Sequence, residues 1–468
     1  MAYFLITDSI TTNLLILLVI IFIYYLYRAR KNNIFHRLGV PGPERISVLG
    51  EMFHVIRKHM TTRGTDLIRK YGKVIGVYEG TAPTLLVTDL DLLRNILIKD
   101  SQVFINRRSM EGIGGPFEHA LIALKDGEWK NVRSIVSPTF STAKLKAMYA
   151  LLNETSDTYS DRLLEYADKQ ELFNANELNG QYTLGTISSC LFGIETNSLR
   201  NENATLIKHL KKLFTVDFKN IFLYIFLISP RFARYLGGKG YSIFPSDAIS
   251  YVSNIVNDVI SRRRQHLERR NDFIQMMIAH EEAVKDEEDM AEQTETKEPQ
   301  QQQQQQWGTF KKDEITYEKL NQLSYLDMAI NETLRMYPPF IRLNRVVSYD
   351  YQLDDYHVPK GSFINIPIYS IHHNPEYCRG PEKFIPERFL PDEKAKRLPM
   401  TFLPFGDGPR NCIGMRFALL ESKLAITKAL RVVELQKCEK TEVPLQLGKL
   451  NILNAKNGIW VRAVRRSK

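Results

Sequence analysis

The stretch that most constrains this chain of 468 residues is Phe402–Glu421, which surrounds a single cysteine. Gly406 and Gly408 precede Cys412, and an amphipathic helical pattern begins at Met415. Glycines allow the backbone to turn tightly and to approach another group closely. A cysteine just before a helix lies near unpaired N–H groups and the positive end of the helix dipole, and both favour the thiolate. The stretch is therefore suited to presenting a sulfur anion, shielded by backbone, to an electron-poor group.

The residues alone leave two other roles open for Cys412. A lone cysteine is most often a small buried apolar residue. A cysteine nucleophile, as in a hydrolase, would need a base, and His372 and His373 lie about 40 residues upstream. The four cysteines of the chain include no C-x-x-C pair, which argues against a disulfide framework or a zinc site and favours a reducing compartment.

The sequence FGDGPRNCIG resembles the haem-binding loop of the cytochrome P-450 superfamily, F-x-x-G-x-R-x-C-x-G. Its five fixed positions are matched by Phe405, Gly408, Arg410, Cys412 and Gly414. The resemblance implies that Cys412 is the axial thiolate of a haem b iron and that Phe405 and Arg410 contact the haem. It covers nearly the whole chain and is greatest for the animal microsomal branch that oxidises drugs and steroids. The implied fold is mainly α with small β-sheets (α+β), the cytochrome P-450 fold.

Four more residues match haem-contacting positions of the family. Trp129 and Arg133 are four residues apart and therefore share one face of a predicted helix. A surface aromatic–cation pair would have the same spacing, but the resemblance implies a W-x-x-x-R element that holds a haem propionate. Arg107 and Arg345 match further propionate contacts, and the resemblance gives Arg410 the same role. An arginine suits a carboxylate because its planar fork can bond both oxygens.

The family's E-x-x-R element is present as Glu332 and Arg335, on a helical pattern that stops at two prolines. Residues three apart share a helix face, so on their own the two would indicate an ordinary surface salt bridge. The resemblance implies instead a buried ion triad of Glu332, Arg335 and Arg388, the last belonging to a P-E-R-F element. Such a triad sets the register of the surrounding chain more than it adds stability.

An apolar segment, Ile10–Tyr27, precedes a basic flank of Arg28, Arg30 and Lys31. As a helix it would be about 27 Å long, close to the thickness of a bilayer core. The flank predicts that the rest of the chain lies in the cytosol. A cleaved signal peptide is the alternative, but the first ten residues hold no Lys or Arg and no A-x-A site follows. We expect one retained anchor, which the resemblance places in the endoplasmic reticulum membrane.

Shifts in composition and a Pro/Gly-rich stretch divide the chain into five parts. We assign residues 1–31 to the anchor and its basic flank, 32–44 to a Pro/Gly hinge, 45–280 to the first part of the P-450 domain, 281–310 to an acidic and Gln-rich disordered insert, and 311–468 to the haem-binding part. The aromatic-rich stretch Leu213–Phe244 falls where membrane-bound members of the family place a lid that dips into lipid. The net charge of +10 suits an acidic partner surface or anionic lipid, and no basic–aromatic module for nucleic acid is present.

The chain departs from the family between Met277 and Lys311. There the family carries a long central helix over the distal haem face, with an A/G-G-x-D/E-T-T element that helps to deliver protons and to admit O₂. This chain has acidic residues and the run Gln300–Gln306 instead. A helix of 30 residues is about 45 Å long, and each large side chain that it buries stabilises by about 1.5–3 kcal/mol. The loss would rival the whole net stability of a domain, about 5–15 kcal/mol, so we expect a shortened form, from splicing or a gene-model error.

The resemblance implies a haem-thiolate monooxygenase that inserts one atom of O₂ into a small lipophilic substrate. Electrons would come from NADPH–cytochrome P-450 reductase, a flavoprotein. Because the threonine element is absent, we assign no catalytic residue and expect this form to be impaired. Three alternatives stay open: a non-catalytic haem-binding protein, a haem-thiolate enzyme that uses peroxide or rearranges its substrate, and, last, a cysteine hydrolase.

Overall fold

The computed structural model shows a mainly helical chain with three small β-sheets among the residues that it describes. This confirms the predicted fold class, mainly α with small sheets. The described residues are 12–13, 15–16, 19–20, 22–24, 27, 34–44, 59–80, 82–109, 111–194, 198–200, 205–214, 222, 225, 230–268, 270, 272–279, 281–282, 315–448 and 451–466.

Fourteen α-helices with defined bounds lie within that part of the chain. They are α1 (Ile34–Arg37), α2 (Met60–Tyr71), α3 (Leu90–Arg94), α4 (Asp126–Val136), α5 (Thr142–Asp168), α6 (Ala175–Phe192), α7 (Thr205–Phe214), α8 (Pro230–Gly237), α9 (Ser246–Arg264), α10 (Tyr317–Asn321), α11 (Ser324–Met336), α12 (Ile368–His372), α13 (Pro391–Lys396) and α14 (Met415–Val432). Residues 273–279 are also helical. A π-helix, Asn95–Lys99, continues α3, and short 3₁₀ turns cover Gly115–His119, Ser137–Phe140 and Pro386–Phe389.

The nine strands form three sheets. They are β1 (Val74–Glu79), β2 (Ala82–Val87), β3 (Leu172–Asn174), β4 (Leu343–Val346), β5 (Tyr351–Leu353), β6 (Tyr356–Val358), β7 (Phe363–Ile366), β8 (Val433–Gln436) and β9 (Trp460–Arg465). The largest sheet has the order β1-β2-β7-β4, the second β3-β9-β8, and β5 pairs with β6. The composition of Lys73–Thr88 predicts two β-rich runs around a Gly/Pro turn. In the structure, β1 and β2 pair antiparallel there.

Helix α14 is fixed by a helical core. It packs against α5 and α6, and this buried cluster is formed by Leu145, Met148, Leu152, Cys190, Leu320, Phe417, Leu420 and Leu424. Each large apolar side chain buried in this way stabilises by about 1.5–3 kcal/mol. A shift of α14 along its axis would disturb all of these contacts together, so its N-terminus is held in one place.

The predicted hinge packs onto the largest sheet where it is described. Phe35 and Val40 are buried, and the Gly76 amide donates a hydrogen bond to the Pro41 carbonyl at 2.8 Å. A Cβ on Gly76 would lie 2.4 Å from the Phe35 ring, so only glycine allows this approach.

The alternation of apolar residues over Lys449–Val464, around Asn457-Gly458, predicts a closing hairpin, and this prediction is wrong in its pairing. The turn is present and β9 follows it, but β9 pairs with β3 and β8 rather than with the chain just before the turn. Through Ala463, β9 shares one buried apolar cluster with Phe173 of β3 and Val433 of β8.

The segments predicted as anchor and insert fall mostly outside the described residues. This applies to 21 of the 31 residues assigned to the anchor and its flank, eight of them within Ile10–Tyr27, and to residues 283–310 of the insert. No helix within the described ranges has the length and apolar composition needed to cross a membrane.

Candidate functional site

The cysteine loop places Cys412 three residues before α14, with its side chain exposed. The Cys412 amide donates a hydrogen bond to the Phe405 carbonyl at 2.9 Å, which closes the loop. Gly408 has φ +71°, and a Cβ there would lie 1.8 Å from the carbonyl oxygen of Leu97. Glycine is therefore required twice at this position, by backbone conformation and by close approach. The geometry matches the expectation of a sulfur held out from a tightly folded backbone.

Two arginines bind the residues that directly precede the cysteine. Arg107 donates from Nη2 to the Arg410 carbonyl at 2.8 Å. Arg133 donates from Nη1 to the Asn411 carbonyl at 3.0 Å and from Nη2 to Asn411 Oδ1 at 2.8 Å. The structure thus brings residues from three distant segments together around Cys412.

Arg410 forms three hydrogen bonds with backbone carbonyls of the protein. Its Nε donates to the Ile105 carbonyl at 2.8 Å, and its two Nη atoms donate to the carbonyls of Leu121 and Leu124. Its guanidinium lies over the ring of buried Trp129, 4.1 Å from the centroid. The group therefore clamps the cysteine loop to the chain before α4, and Trp129 is the platform of that clamp.

Four arginines concentrate positive charge where solvent has little access: Arg107, Arg133, Arg345 and Arg410. Burial, followed by repulsion from Arg107 and Arg410, lowers the pKa of Arg345 to about 9. Burial, followed by repulsion from Arg107 and Arg133, lowers the pKa of Arg410 to about 9. Burial also lowers the pKa of Arg107 and of Arg133, while the sulfur of Cys412 acts in the opposite direction on both. Such a cluster favours a ligand that carries more than one negative charge.

The donor set fits the two propionates of a haem. The Nε of Arg107 is buried and forms no hydrogen bond with the described part of the chain. Arg345 is 2% exposed, and its Nη1 donates a hydrogen bond to the carbonyl of the preceding residue, Asn344, at 2.8 Å. Carboxylates are the groups that such forks bind best, and an exposed cysteine sulfur beside them supplies the axial ligand that a haem iron accepts.

Glu332, Arg335 and Arg388 form one ion cluster. Arg335 donates from Nε to Glu332 Oε2 at 2.8 Å and from Nη2 to Oε1 at 3.0 Å. Arg388 donates from Nε to Glu332 Oε1 at 3.3 Å, and the Ile385 amide adds a bond of 2.9 Å. Glu332 is 0% exposed, so its charge depends on these partners.

The two histidines that could serve a cysteine nucleophile are engaged elsewhere. His372 is buried, its two ring nitrogens bond backbone groups of Arg335 and Leu403, and burial lowers its pKa to about 3. His373 bonds the Tyr369 carbonyl through Nδ1. This geometry speaks against the hydrolase alternative. The sequence carries no signal for the contacts of His372, because they join segments 30 or more residues apart.

The chain is similar to one protein family over most of its length. The family model described as Cytochrome P450 matches the chain in two pieces, residues 40–298 and 290–462. Cytochrome P450 3A31 of Mesocricetus auratus is 34% identical over 491 residues, which cover 98% of this chain and 97% of that protein. Cytochrome P450 3A5 of Homo sapiens is 33% identical over 483 residues, with 96% and 95% covered. Cytochrome P450 3A18 of Rattus norvegicus is 33% identical over 479 residues, with 95% and 96% covered.

Proposed function

This chain belongs to the cytochrome P450 family, and from that premise we propose that it is a membrane-bound monooxygenase of small lipophilic molecules, reduced by NADPH–cytochrome P-450 reductase. Membership makes it a haem enzyme of the monooxygenase type. The reductase, the substrate class and the membrane are the proposed parts. The observation that supports the proposal most directly is the exposed Cys412 beside the arginine cluster.

We assign the haem-contacting residues separate tasks. Cys412 ligates the iron, and Arg107 and Arg345 bind the propionates, since both have guanidinium atoms left after their contacts with the protein. Arg133 and Arg410 hold the loop in place through their hydrogen bonds with backbone carbonyls, and the family resemblance gives both a propionate contact as well. Trp129 supports the loop because its ring packs against the Arg410 guanidinium. Phe405 supports it through its carbonyl, which accepts a hydrogen bond from the Cys412 amide. When bound, the haem supplies the oxygen chemistry, and the protein supplies binding, orientation and charge.

The haem assignment is tested by the absorption spectrum of the reduced, CO-bound protein. We expect the red-shifted Soret band of a thiolate-ligated haem, and we expect Cys412→Ser to lose it. Cys190→Ser is the matched control, because Cys190 is buried in the helical core away from the loop. A folded protein that binds no haem, or a Cys412→Ser variant with an unchanged spectrum, would refute the assignment.

Exposed cations around the cysteine loop support a reductase as the electron donor. Lys130 lies on α4 beside the Trp129 platform, and Arg416 lies in the first turn of α14. Lys99 belongs to the helical segment whose Leu97 carbonyl contacts Gly408. An acidic partner would approach this face because opposite charges steer association.

The reductase is tested by reversing these charges. The double variant Lys130→Glu, Arg416→Glu should raise the KM for reductase at least several-fold, and added salt should weaken turnover of the native chain. The control is Lys169→Glu, at the far end of the 27-residue helix α5, about 40 Å along it. Equal effects of the double variant and the control would contradict the docking face.

An exposed aromatic and basic patch on α8 supports contact with lipid. Phe232 and Tyr235 are 51% and 58% exposed, and Arg231 and Arg234 on the same helix are exposed as well. Aromatic rings and cations together suit the headgroup region of a membrane. In vesicles, a Phe232→Trp variant should be quenched by a lipid-phase quencher, and the control Tyr349→Trp should not. Equal quenching of both, or of neither, would contradict this orientation.

The second candidate is a haem-binding form with impaired turnover. The family match divides into two pieces that overlap at residues 290–298, within the segment where the central helix is expected. The alignment with cytochrome P450 3A31 of Mesocricetus auratus runs over 491 positions, more than the 468 residues of this chain. It therefore contains positions at which this chain has no residue. Both facts support the proposal that the oxygen-activating helix has been lost.

Turnover separates the two candidates. A yield of oxygenated product that matches the NADPH consumed with reductase would support the monooxygenase, and NADPH consumption without a matching yield would support the impaired form. Product formed from peroxide without NADPH and O₂ would support the peroxide alternative. Full coupling of NADPH to product would contradict the impairment. The transcript sequence across Met277–Trp307 would then tell whether coding sequence was dropped.

A further inference from the structure

We propose that His372 is a positioning residue that couples the Glu332–Arg335–Arg388 ion cluster to the cysteine loop, and so sets where the sulfur of Cys412 stands. The inference deepens the proposed function, because it concerns the thiolate ligand of that same site. It assigns no contact between His372 and substrate or haem.

Both ring nitrogens of His372 are engaged, each by a different element. Nδ1 lies 3.0 Å from the Arg335 carbonyl and donates to it, and Nε2 accepts from the Leu403 amide at 2.9 Å. The backbone of His372 is engaged too, since its carbonyl accepts from Arg335 Nη1 at 3.1 Å. The residue is 1% exposed, so these bonds compete with no solvent. The imidazole is therefore a rigid bridge between α11 and the chain that leads into the cysteine loop.

Aromatic contacts fix the chain segment that His372 joins to α11, which begins at Phe402. Phe402 stacks on the His372 ring at 5.4 Å between centroids and meets Phe389 edge-on at 4.9 Å. The guanidinium of Arg397 lies over both phenylalanines, at 5.1 Å from the Phe402 centroid and 4.2 Å from the Phe389 centroid. Phe402 and Leu403 begin the stretch that ends in the loop, so a displacement at the bridge would move the loop itself.

A neutral histidine is the side chain that fits this bridge. One nitrogen must donate to a carbonyl while the other accepts from an amide, and a neutral imidazole does both at a fixed separation. Burial lowers the pKa of His372 to about 3, so the neutral form persists at all physiological pH values. An imidazolium would lose the bond from Leu403, because it has no acceptor.

Two amide variants each keep one of the two hydrogen bonds of the His372 ring and remove the other. His372→Asn keeps a donor near the Nδ1 position and loses the acceptor for Leu403, whereas His372→Gln keeps an acceptor near the Nε2 position and loses the bond to Arg335. The adjacent His373→Asn is the control, because His373 bonds only the Tyr369 carbonyl one turn before it in the described structure. The readout on the haem-loaded full chain is the ratio of thiolate-ligated to thiolate-lost bands in the reduced CO spectrum.

We expect His372→Asn and His372→Gln each to lower that ratio about fivefold, as the loss of one hydrogen bond would, and His372→Leu to lower it further. His373→Asn should leave it unchanged. An unchanged ratio in folded His372→Leu, or an equal fall in His373→Asn, would overturn the proposal. So would loss of folded protein in all three His372 variants, which would assign the residue to general core stability. A native chain without any thiolate band would instead refute the haem assignment itself.

Discussion

Glu421, on α14 two turns after the cysteine loop, carries a carboxyl group in the helical core. It is 6% exposed, and its Oε1 is buried without a hydrogen bond from the described residues. Burial raises its pKa from 4.5 to about 7, against a smaller opposing effect of a hydrogen bond from Thr183. Its titratable neighbours Tyr182 and Cys190 are buried on α6, and burial raises their pKa values as well, so neither supplies a counter-charge.

The consequence for stability follows from proton linkage. The folded chain binds the proton of Glu421 more tightly than the unfolded chain does. The contribution of Glu421 to stability is therefore greatest below about pH 4.5, falls as the pH rises to about 7, and stays at the lower level above that. The fall amounts to about 3 kcal/mol, at 1.36 kcal/mol per pH unit between the two pKa values.

We therefore predict that Glu421→Gln stabilises the protein at alkaline pH. The free energy of unfolding, from urea titrations between about pH 5 and pH 8, should exceed that of the native chain by up to about 3 kcal/mol at pH 8 and by little at pH 5. The exposed Glu177→Gln on α6 is the control, because its side chain lies in solvent rather than in the core. A difference between Glu421→Gln and the native chain that is constant with pH would refute the argument.

Three further substitutions test the site. Arg107→Ala should weaken haem binding at least about tenfold, because a charge-assisted hydrogen bond contributes about 1.5–3 kcal/mol, and haem titration measures it. Gly408→Ala should destabilise the protein by about 1–3 kcal/mol or more, since its Cβ would meet the Leu97 carbonyl at 1.8 Å and its φ is +71°. Denaturant titration measures this. Glu332→Gln should cost about 3–5 kcal/mol in the same titration, because it leaves two guanidinium groups without their carboxylate.

Each of these has a control in the same region. Arg416→Ala, exposed on α14, should leave haem affinity unchanged, and equal losses would contradict the role of Arg107. A Cβ on Gly127 meets nothing within 4 Å, so Gly127→Ala should be tolerated. The exposed Glu387→Gln should cost little, and a cost equal to that of Glu332→Gln would remove the reason given for the ion cluster.

The cysteine loop could be predicted from the sequence because its geometry depends on neighbours in the chain. Gly406 and Gly408 both adopt positive φ, and α14 begins at Met415, where the amphipathic pattern begins. The strand pair β1–β2 and the end of α11 before its two prolines were predictable for the same reason. Backbone preference and periodicity are local properties, so a sequence displays them directly.

The tertiary structure decided which distant groups meet. Arg410 binds three backbone carbonyls of another segment, β9 pairs with β3 and β8, His372 bridges α11 to the loop, and Glu421 is enclosed by α6. None of these follows from spacing along the chain. The reason is physical: burial, hydrogen-bond partners and pKa depend on which surfaces pack together in space, and packing joins residues that the sequence holds tens or hundreds of positions apart.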